Sequence, residues 1–180
     1  MMGPMRTTTV GPSHGSLLLH TGVEGKAALL GHALTIKVAE WACTTTHDGE
    51  TPVAVELRAQ LPQLEIVAGE GGLKPLSDKD KRTIVKNARK TLKTDRHPEA
   101  VFSTTAVQQA GAGWSLLGNL TVGGVIRQIA VDVTVSDGQV VEARTSVVQS
   151  DHGIAPYSLM LGALQVRDKV EVRLEARLPA

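Results

Sequence analysis

The strongest constraint on the fold is a strict alternation of apolar and charged residues near the end of the chain. In KVEVRLEARLP, residues 169–179, an apolar side chain occupies every second position from Val170 to Leu178, and Glu or Arg occupies the positions between. Successive side chains of a β-strand point to opposite faces, so this period of two predicts a strand with one buried and one solvated face. The alternating charge on the outer face also discourages edge-to-edge aggregation.

The same alternation returns in several other segments. It is visible in ALTIKVAEW (33–41), PVAVELRA (52–59), WSLLGNLTV (114–122) and IRQIAVDVTV (126–135). Asp48-Gly49, Gly123-Gly124 and Asp137-Gly138 lie between strand-like runs, and such pairs accept the positive φ angles of tight hairpin turns. We therefore predict an all-β fold with one helix. It is a closed, antiparallel, up-and-down barrel of about eight strands, since meanders of this length usually close to remove their edges.

One segment has helical rather than strand periodicity. In LSDKDKRTIVKNARKTLK, residues 76–93, Ser77 and Asp80 have the spacing of a capping box, and apolar residues from Ile84 to Leu92 recur at helical intervals. The sequence predicts one helix here, laid across one end of the barrel. We interpret its Lys- and Arg-rich face as a solvated surface, with attraction of a phosphorylated headgroup as the alternative.

Composition excludes several function classes. The net charge is +1 and aromatic residues make up 2% of the chain, which argues against nucleic-acid binding because both a positive field and stacking platforms are missing. No stretch has the roughly 18 consecutive apolar residues of a membrane span, and Cys43 has no partner for an internal disulfide. We predict a disordered tail, 1–14, and a single lipid-binding domain, 15–180. The tail has no apolar segment typical of a secretory signal, so we expect a cytoplasmic protein.

The segment QSDHGIAPYS, residues 149–158, contains residue types found in hydrolases. Adjacent residues of a strand point to opposite faces, so Asp151 would not orient His152, and the sequence has no GxSxG motif. A metal-dependent or other enzyme using His32, His97 and His152 at the barrel mouth remains the alternative, although HxH and HExxH spacings are absent. We predict no catalytic residue, no metal site and no cofactor.

A ligand container requires fewer special residues than an enzyme. Barrels of about eight strands either pack solid or hold one small ligand, and small and branched side chains facing inward favour a slot. Each CH₂ group buried there contributes roughly 0.8 kcal/mol, so a long aliphatic chain can bind by burial alone. The predicted lumen residues are Leu34, Ile36, Val38, Val55, Leu57, Phe102, Trp114, Leu116, Leu120, Ile129, Val131, Val133, Val170, Val172 and Leu174.

Several motifs follow one another in an order that is typical of one family. GHALTIKVAEW (31–41) is followed by HPEAVFSTTAV (97–107), LLGNLTVGGVIRQIAVDVTV (116–135), QSDHGI (149–154) and a final Asp-x-Val-x-Val strand beginning at Asp168. Together they resemble the YceI-like family of lipocalin-like barrels, over most of the chain from about Gly15 to Pro179. The matching positions are Pro98, Phe102, Gly118, Leu120, Thr121, Gly124, Val125, Arg127, Asp168, Val170 and Val172.

The resemblance implies a fold and a function but no catalytic residues. It implies an eight-stranded antiparallel barrel with a helix across it, whose lumen holds an isoprenoid or other long-chain amphiphile. This chain departs from the family pattern at His152, where an aromatic residue is usual, and at Gln149, where an Arg is frequent. On the barrel interpretation, the predicted mouth and headgroup residues are His32, His97, Arg127, Asp151, His152 and Tyr157.

The predicted function is therefore non-enzymatic. We expect binding, sequestration or transport of a polyisoprenoid or other long-chain amphiphile, of the quinone or prenyl phosphate type. The expected partner is this lipid ligand, with no nucleic acid and no integral membrane span. A homodimer is the expected assembly if one forms, because two-fold dimers are the commonest.

Overall fold

A computed structural model describes residues 2–180 of the chain. Its one α-helix, α1, spans Asp78–Leu92. No helix in this range is long and apolar enough to cross a membrane. The strands are β1 Met5–Val10, β2 Gly15–His20, β3 Val23–Glu24, β4 His32–Val38, β5 Trp41–Asp48, β6 Thr51–Gln60, β7 Leu64–Gly71, β8 Glu99–Ala110, β9 Gly113–Val122, β10 Val125–Ser136, β11 Val140–Val148, β12 Ser158–Leu159, β13 Leu164–Val166 and β14 Lys169–Arg177.

The fold is mostly β with one helix, as predicted. Eleven strands form one antiparallel sheet in the order β1-β5-β6-β8-β9-β10-β11-β14-β2-β4-β7, and β12-β13-β3 form a separate small sheet. The large sheet curls around an apolar interior. A closed barrel of eight strands is not confirmed. One reason for the larger strand number is bending: the predicted strand 33–41 is divided at residues 39–40 into β4 and β5.

The hairpin turns lie where the sequence predicts them. Gly123 and Gly124 both have positive φ between β9 and β10, and Asp137 (φ 51°) and Gly138 (φ 66°) join β10 to β11. Two successive positive φ angles characterise the hairpin turn whose twist matches that of the flanking strands. These turns keep β9, β10 and β11 next to their sequence neighbours in the sheet.

The N-terminal segment differs from its prediction. Residues 1–14 were expected to be disordered, but β1 pairs with β5 along its whole length, from Met5 opposite Asp48 to Val10 opposite Cys43. The run of threonines in β1 has no apolar alternation, so nothing local predicts a strand. Pairing with an existing strand supplies its backbone hydrogen bonds.

The predicted capping box of α1 is confirmed. The backbone N–H of Asp80 donates to Ser77 Oγ (3.1 Å), and the backbone N–H of Ser77 donates to Asp80 Oδ2 (2.8 Å). The hydrogen bond from the Ser77 backbone N–H to the Asp80 carboxylate is the main reason why the pKa of Asp80 is lowered. Ile84, Ala88 and Leu92 then turn the apolar stripe of the helix toward the interior of the sheet.

The apolar interior consists of two groups of side chains. The first lies where β2, β4, β5, β7 and β14 meet, around Val38 and Leu17. The second lies where β8, β9 and β10 meet, around Phe102 and Leu120. Ala100 and Ala143 pack against both groups. Leu57 and Leu92 do so as well, and members of both groups line the cavity described below.

Candidate ligand-binding site

A cavity of about 490 Å³ lies between the inner face of the large sheet and α1. Its walls are aliphatic almost throughout, and polar side chains are few. Small-molecule sites typically have volumes of about 300 to 1,000 Å³ with mostly apolar walls. The size and lining therefore suit an apolar ligand or the apolar tail of an amphiphile.

Most of the predicted lumen residues line this cavity. They are Leu34, Ile36, Val38, Val55, Leu57, Phe102, Leu116, Leu120, Ile129, Val131, Val170, Val172 and Leu174. Trp114 and Val133 do not line it, and this corrects the prediction. They are paired opposite each other, near the turn that begins β9, and pack against the second apolar group beyond the end of the cavity. The alternation of apolar and polar residues predicts which face of the sheet a side chain occupies, but not where along the cavity it lies.

The helix and the chain crossing supply wall residues that the sequence analysis missed. Ile84, Ala88 and Leu92 of α1 line the cavity, and so do Leu30 and Ile154 from segments outside the large sheet. The apolar stripe of the helix was a usable signal, because a stripe of this width must be buried against something. The residues of the connecting segments had no such signal.

Two of the predicted mouth residues lie at the cavity. His32 begins β4, and its Nε2 is 2.8 Å from the carbonyl oxygen of Lys74. Tyr157 precedes β12, and its hydroxyl accepts a hydrogen bond from Asn87 Nδ2 of α1 (3.2 Å). His32, Tyr157 and Asn87 all line the cavity. They are three of the polar residues of the cavity wall, and others come from β11 and β13.

His152 and Asp151 do not line the cavity, which corrects their predicted role. Both belong to the short 3-10 turn Gln149–His152. His152 is only 3% exposed, and its Nδ1 donates to the carbonyl oxygen of Val125 (3.0 Å), so it attaches this turn to the start of β10. Asp151 is exposed to solvent. The imidazole satisfies a backbone group here, as buried polar side chains generally must.

His97 and Arg127 also lie away from the cavity lining. The His97 ring packs against Gly124, where a Cβ atom would come within 2.9 Å of Cε1. Arg127 is exposed, and its guanidinium donates to the carbonyl oxygen of Ile126 (2.9 Å). Hairpin packing therefore determines the position of His97, and neither residue contributes to the cavity wall.

The three histidines of the alternative hypothesis do not form a metal-ligand cluster. Over residues 2–180, no group of three or more His, Cys, Asp or Glu side chains has an arrangement that would hold a metal ion. His32 and His152 instead contact the carbonyl oxygens of Lys74 and Val125, respectively.

The polar residues Gln149 and Ser150 have structural partners. The backbone N–H of Ser150 donates to Asp168 Oδ1 (2.7 Å), and the Ser150 hydroxyl also binds this carboxylate. Gln149 Nε2 donates to the carbonyl oxygen of Arg167 (3.0 Å). These bonds attach the end of β11 to the start of β14 beside the cavity, where Gln149 is part of the wall.

Cys43 is a chemical reporter inside the cavity. Its thiol lines the wall, and burial raises its pKa from 9.0 to about 11. The thiolate is the reactive form, so we expect alkylation by iodoacetamide to be slow at neutral pH and to accelerate as the pH rises toward the raised pKa. A bound aliphatic ligand should slow the reaction further. Mass spectrometry of the modified protein over time measures both effects, and the urea-unfolded chain is the control. Equal rates in the folded and unfolded protein would contradict the assigned burial.

The sheet, the helix and the apolar cavity between them define a class of β-rich protein with an apolar site. The chain belongs to the YceI-like family, because the YceI-like domain model matches residues 12–178. No curated protein matches the chain in sequence.

Solved structures share the fold at low sequence identity. BcnA of Burkholderia cenocepacia has a TM-score of 0.63 and 13% identity, with 88% of this chain and 94% of that chain covered. A polyisoprenoid binding domain from Saccharophagus degradans, implicated in plant cell wall breakdown, has a TM-score of 0.59 and 12% identity, with 98% and 100% covered. The YceI protein of Campylobacter jejuni has a TM-score of 0.58 and 11% identity, with 81% and 84% covered.

Proposed function

We propose that this protein binds a polyisoprenoid or another long-chain amphiphile in the cavity, as a carrier or sequestering protein rather than an enzyme. The observation that carries the proposal is the cavity of about 490 Å³ with almost wholly aliphatic walls. Burial of a chain there contributes roughly 0.8 kcal/mol per CH₂ group, and it needs no directional contact. Membership of the YceI-like family and the fold shared with a polyisoprenoid binding domain support the same ligand class.

The headgroup is proposed to lie near Asn87 and Tyr157. The Asn87 amide and the Tyr157 hydroxyl already form a hydrogen bond to each other, and His32 is a further polar group of the cavity wall. A quinone carbonyl or a prenyl phosphate oxygen would accept hydrogen bonds from such donors. The predicted lumen side chains would contact the tail.

We also propose that the large sheet forms a closed barrel of eight strands, some of which are bent. Three pairs of strands are each interrupted by only a few residues: β1 and β2 by 11–14, β4 and β5 by 39–40, and β6 and β7 by 61–63. When each pair is counted as one strand, β4–β5 pairs with β1–β2 on one side and with β6–β7 on the other. β6 also pairs with β8, and β2 pairs with β14. This continuity supports an enclosed lumen.

Native mass spectrometry of the protein from its own host tests the proposed function. We expect one long-chain apolar molecule per chain, which organic extraction and fragmentation would identify as an isoprenoid or related amphiphile. A delipidated sample should take up a quinone with an isoprenoid tail in a stoichiometric titration. A protein that carries no lipid and binds neither the quinone nor a prenyl phosphate would contradict the proposal.

A further inference from the structure

Five large apolar side chains lie exposed on two neighbouring short turns and the adjoining strand end, beside the cavity. Leu161 is fully exposed (108%) and Leu29 is 88% exposed. The turns are Ala28–Leu30 and Met160–Gly162. Exposed apolar clusters of this kind mark interaction sites in folded proteins. We call the cluster the rim; its members are Leu29, Leu30, Leu159, Met160 and Leu161.

The rim is continuous with the cavity. The two turns are linked by a backbone hydrogen bond from Ala27 to the carbonyl oxygen of Ala163 (2.7 Å). Leu30 and Leu159 belong to both surfaces, because they line the cavity and are 43% and 46% exposed. An apolar path therefore leads from the cavity wall to the tips of the turns.

The backbone of the second turn adopts an unfavourable conformation. Met160 and Leu161 both have positive φ, 54° and 55°, in the left-handed region that residues with a Cβ atom rarely occupy. No buried contact of the Leu161 side chain explains this conformation, because that side chain is wholly exposed. Such strain at an exposed site is typical of functional segments.

A basic helix face lies beside the rim. Asn87 of α1 is bonded to Tyr157, which precedes the rim residue Leu159 by two positions. Lys90 is one helical turn from Asn87 and Lys86 is its sequence neighbour, and both are exposed. The helix contains six basic and two acidic residues, whereas the whole chain has a net charge of only +1. Positive charge is thus concentrated next to the apolar rim.

We propose that the rim and the lysine-bearing flank of α1 dock the cavity opening onto an anionic lipid bilayer. Aliphatic insertion and attraction of Lys for anionic headgroups are each weak, but together they give stable and reversible membrane association. The rim is exposed and aliphatic, whereas the hot spots of protein interfaces are enriched in Trp, Tyr and Arg. Transfer of a ligand would then avoid exposing its methylene groups to water. The transfer step rests on the proposed function, but the docking step does not.

Flotation with vesicles tests the docking. The probes are vesicles of phosphatidylcholine alone and of phosphatidylcholine with phosphatidylglycerol, both free of isoprenoid. We expect Leu29→Ser/Leu161→Ser to lower the partition coefficient at least about tenfold on the anionic vesicles. The matched control is Met5→Ser/Val53→Ser. It removes two exposed apolar side chains from the opposite end of the sheet, by the β5–β6 turn.

The electrostatic contribution has its own variant pair. Lys86→Gln/Lys90→Gln should lower partition onto the anionic vesicles about tenfold or more and reduce its dependence on salt. Arg6→Gln/Arg177→Gln removes the same charge from exposed positions far from the rim and should bind like the wild-type protein. Glutamine keeps the helix propensity of lysine, so the helix is retained.

Three results would overturn the docking proposal. The first is a wild-type protein that ignores both kinds of vesicle, and the second is a rim variant that binds like the wild type. The third is a wild-type dimer in light scattering that the rim substitutions convert to a monomer, because a second copy would then cover the rim. Vesicle binding by an Ala143→Trp variant that has lost its ligand would support docking independently of ligand binding.

Discussion

Replacing Ala143 with tryptophan is expected to weaken binding of an isoprenoid chain about a hundredfold while the fold is retained. Ala143 lies on β11, is half-buried, and forms part of the cavity wall between the two apolar groups. An indole there would occupy space that several methylene groups of the ligand need. At roughly 0.8 kcal/mol per CH₂ group, excluding four of them costs about 3 kcal/mol, which is about a hundredfold in Kd.

Calorimetric titration of the delipidated protein with a quinone carrying an isoprenoid tail measures this effect. The control is Ala130→Trp, which adds the same side chain at an exposed position of β10 outside the cavity. Ala143→Leu should give a smaller loss, in proportion to the smaller added volume. Thermal unfolding should show that both Ala143 variants remain folded. Wild-type affinity in a folded Ala143→Trp protein would mean that the ligand binds elsewhere.

Replacing Gly15 with alanine is expected to destabilise the protein by about 3 kcal/mol, at the upper end of the usual cost of overpacking. Gly15 begins β2 and is paired with Ala176 of β14. A Cβ atom here would overlap the carbonyl oxygen of Glu175 and lie 2.7 Å from the Cα atom of Ala176. Both are backbone atoms, so no side-chain rotation relieves the overlap, and the pairing of β2 with β14 must shift.

Urea unfolding followed by circular dichroism measures the change in the free energy of unfolding. The control is Gly49→Ala, in a turn where a Cβ atom meets nothing within 4 Å but φ is +61°. That substitution should cost only about 1 kcal/mol, the conformational penalty of a positive φ. A loss no larger than that of Gly49→Ala would contradict the predicted overlap, because Gly15 has no positive φ that could add a conformational penalty.

Local sequence patterns were sufficient to predict which segments form strands or a helix, and which of their residues face the interior. Alternation in KVEVRLEARLP predicts the strand β14 and its inward residues, and Val170, Val172 and Leu174 do line the cavity. The Ser77–Asp80 capping box and the glycine-containing turn pairs are also local signals, because their hydrogen bonds and φ angles involve residues close in sequence. These features need no knowledge of distant contacts.

The limits of the cavity depended on contacts between distant residues. Trp114 lies on the same face of β9 as Leu116, but it lies beyond the end of the cavity. The position of a residue along the cavity depends on the register of several strands. His152 is buried against Val125 rather than facing a ligand, since a 3-10 turn follows β11 where an extended strand end was expected. β1 forms although its own residues show no strand pattern, because β5 is available to pair with it.

The sequence by itself determined a β protein with an aliphatic interior, one capped helix and the order of its hairpins, because each of these follows from residues that are neighbours along the chain. Only the tertiary structure decided which inward residues border the cavity, that α1 supplies part of its wall, and that the turns carrying Leu29 and Leu161 lie next to each other. These features depend on contacts between separate elements, and the two turns of the rim are more than a hundred residues apart in the chain. Periodicity predicts the face of an element, whereas packing between elements determines where that face lies.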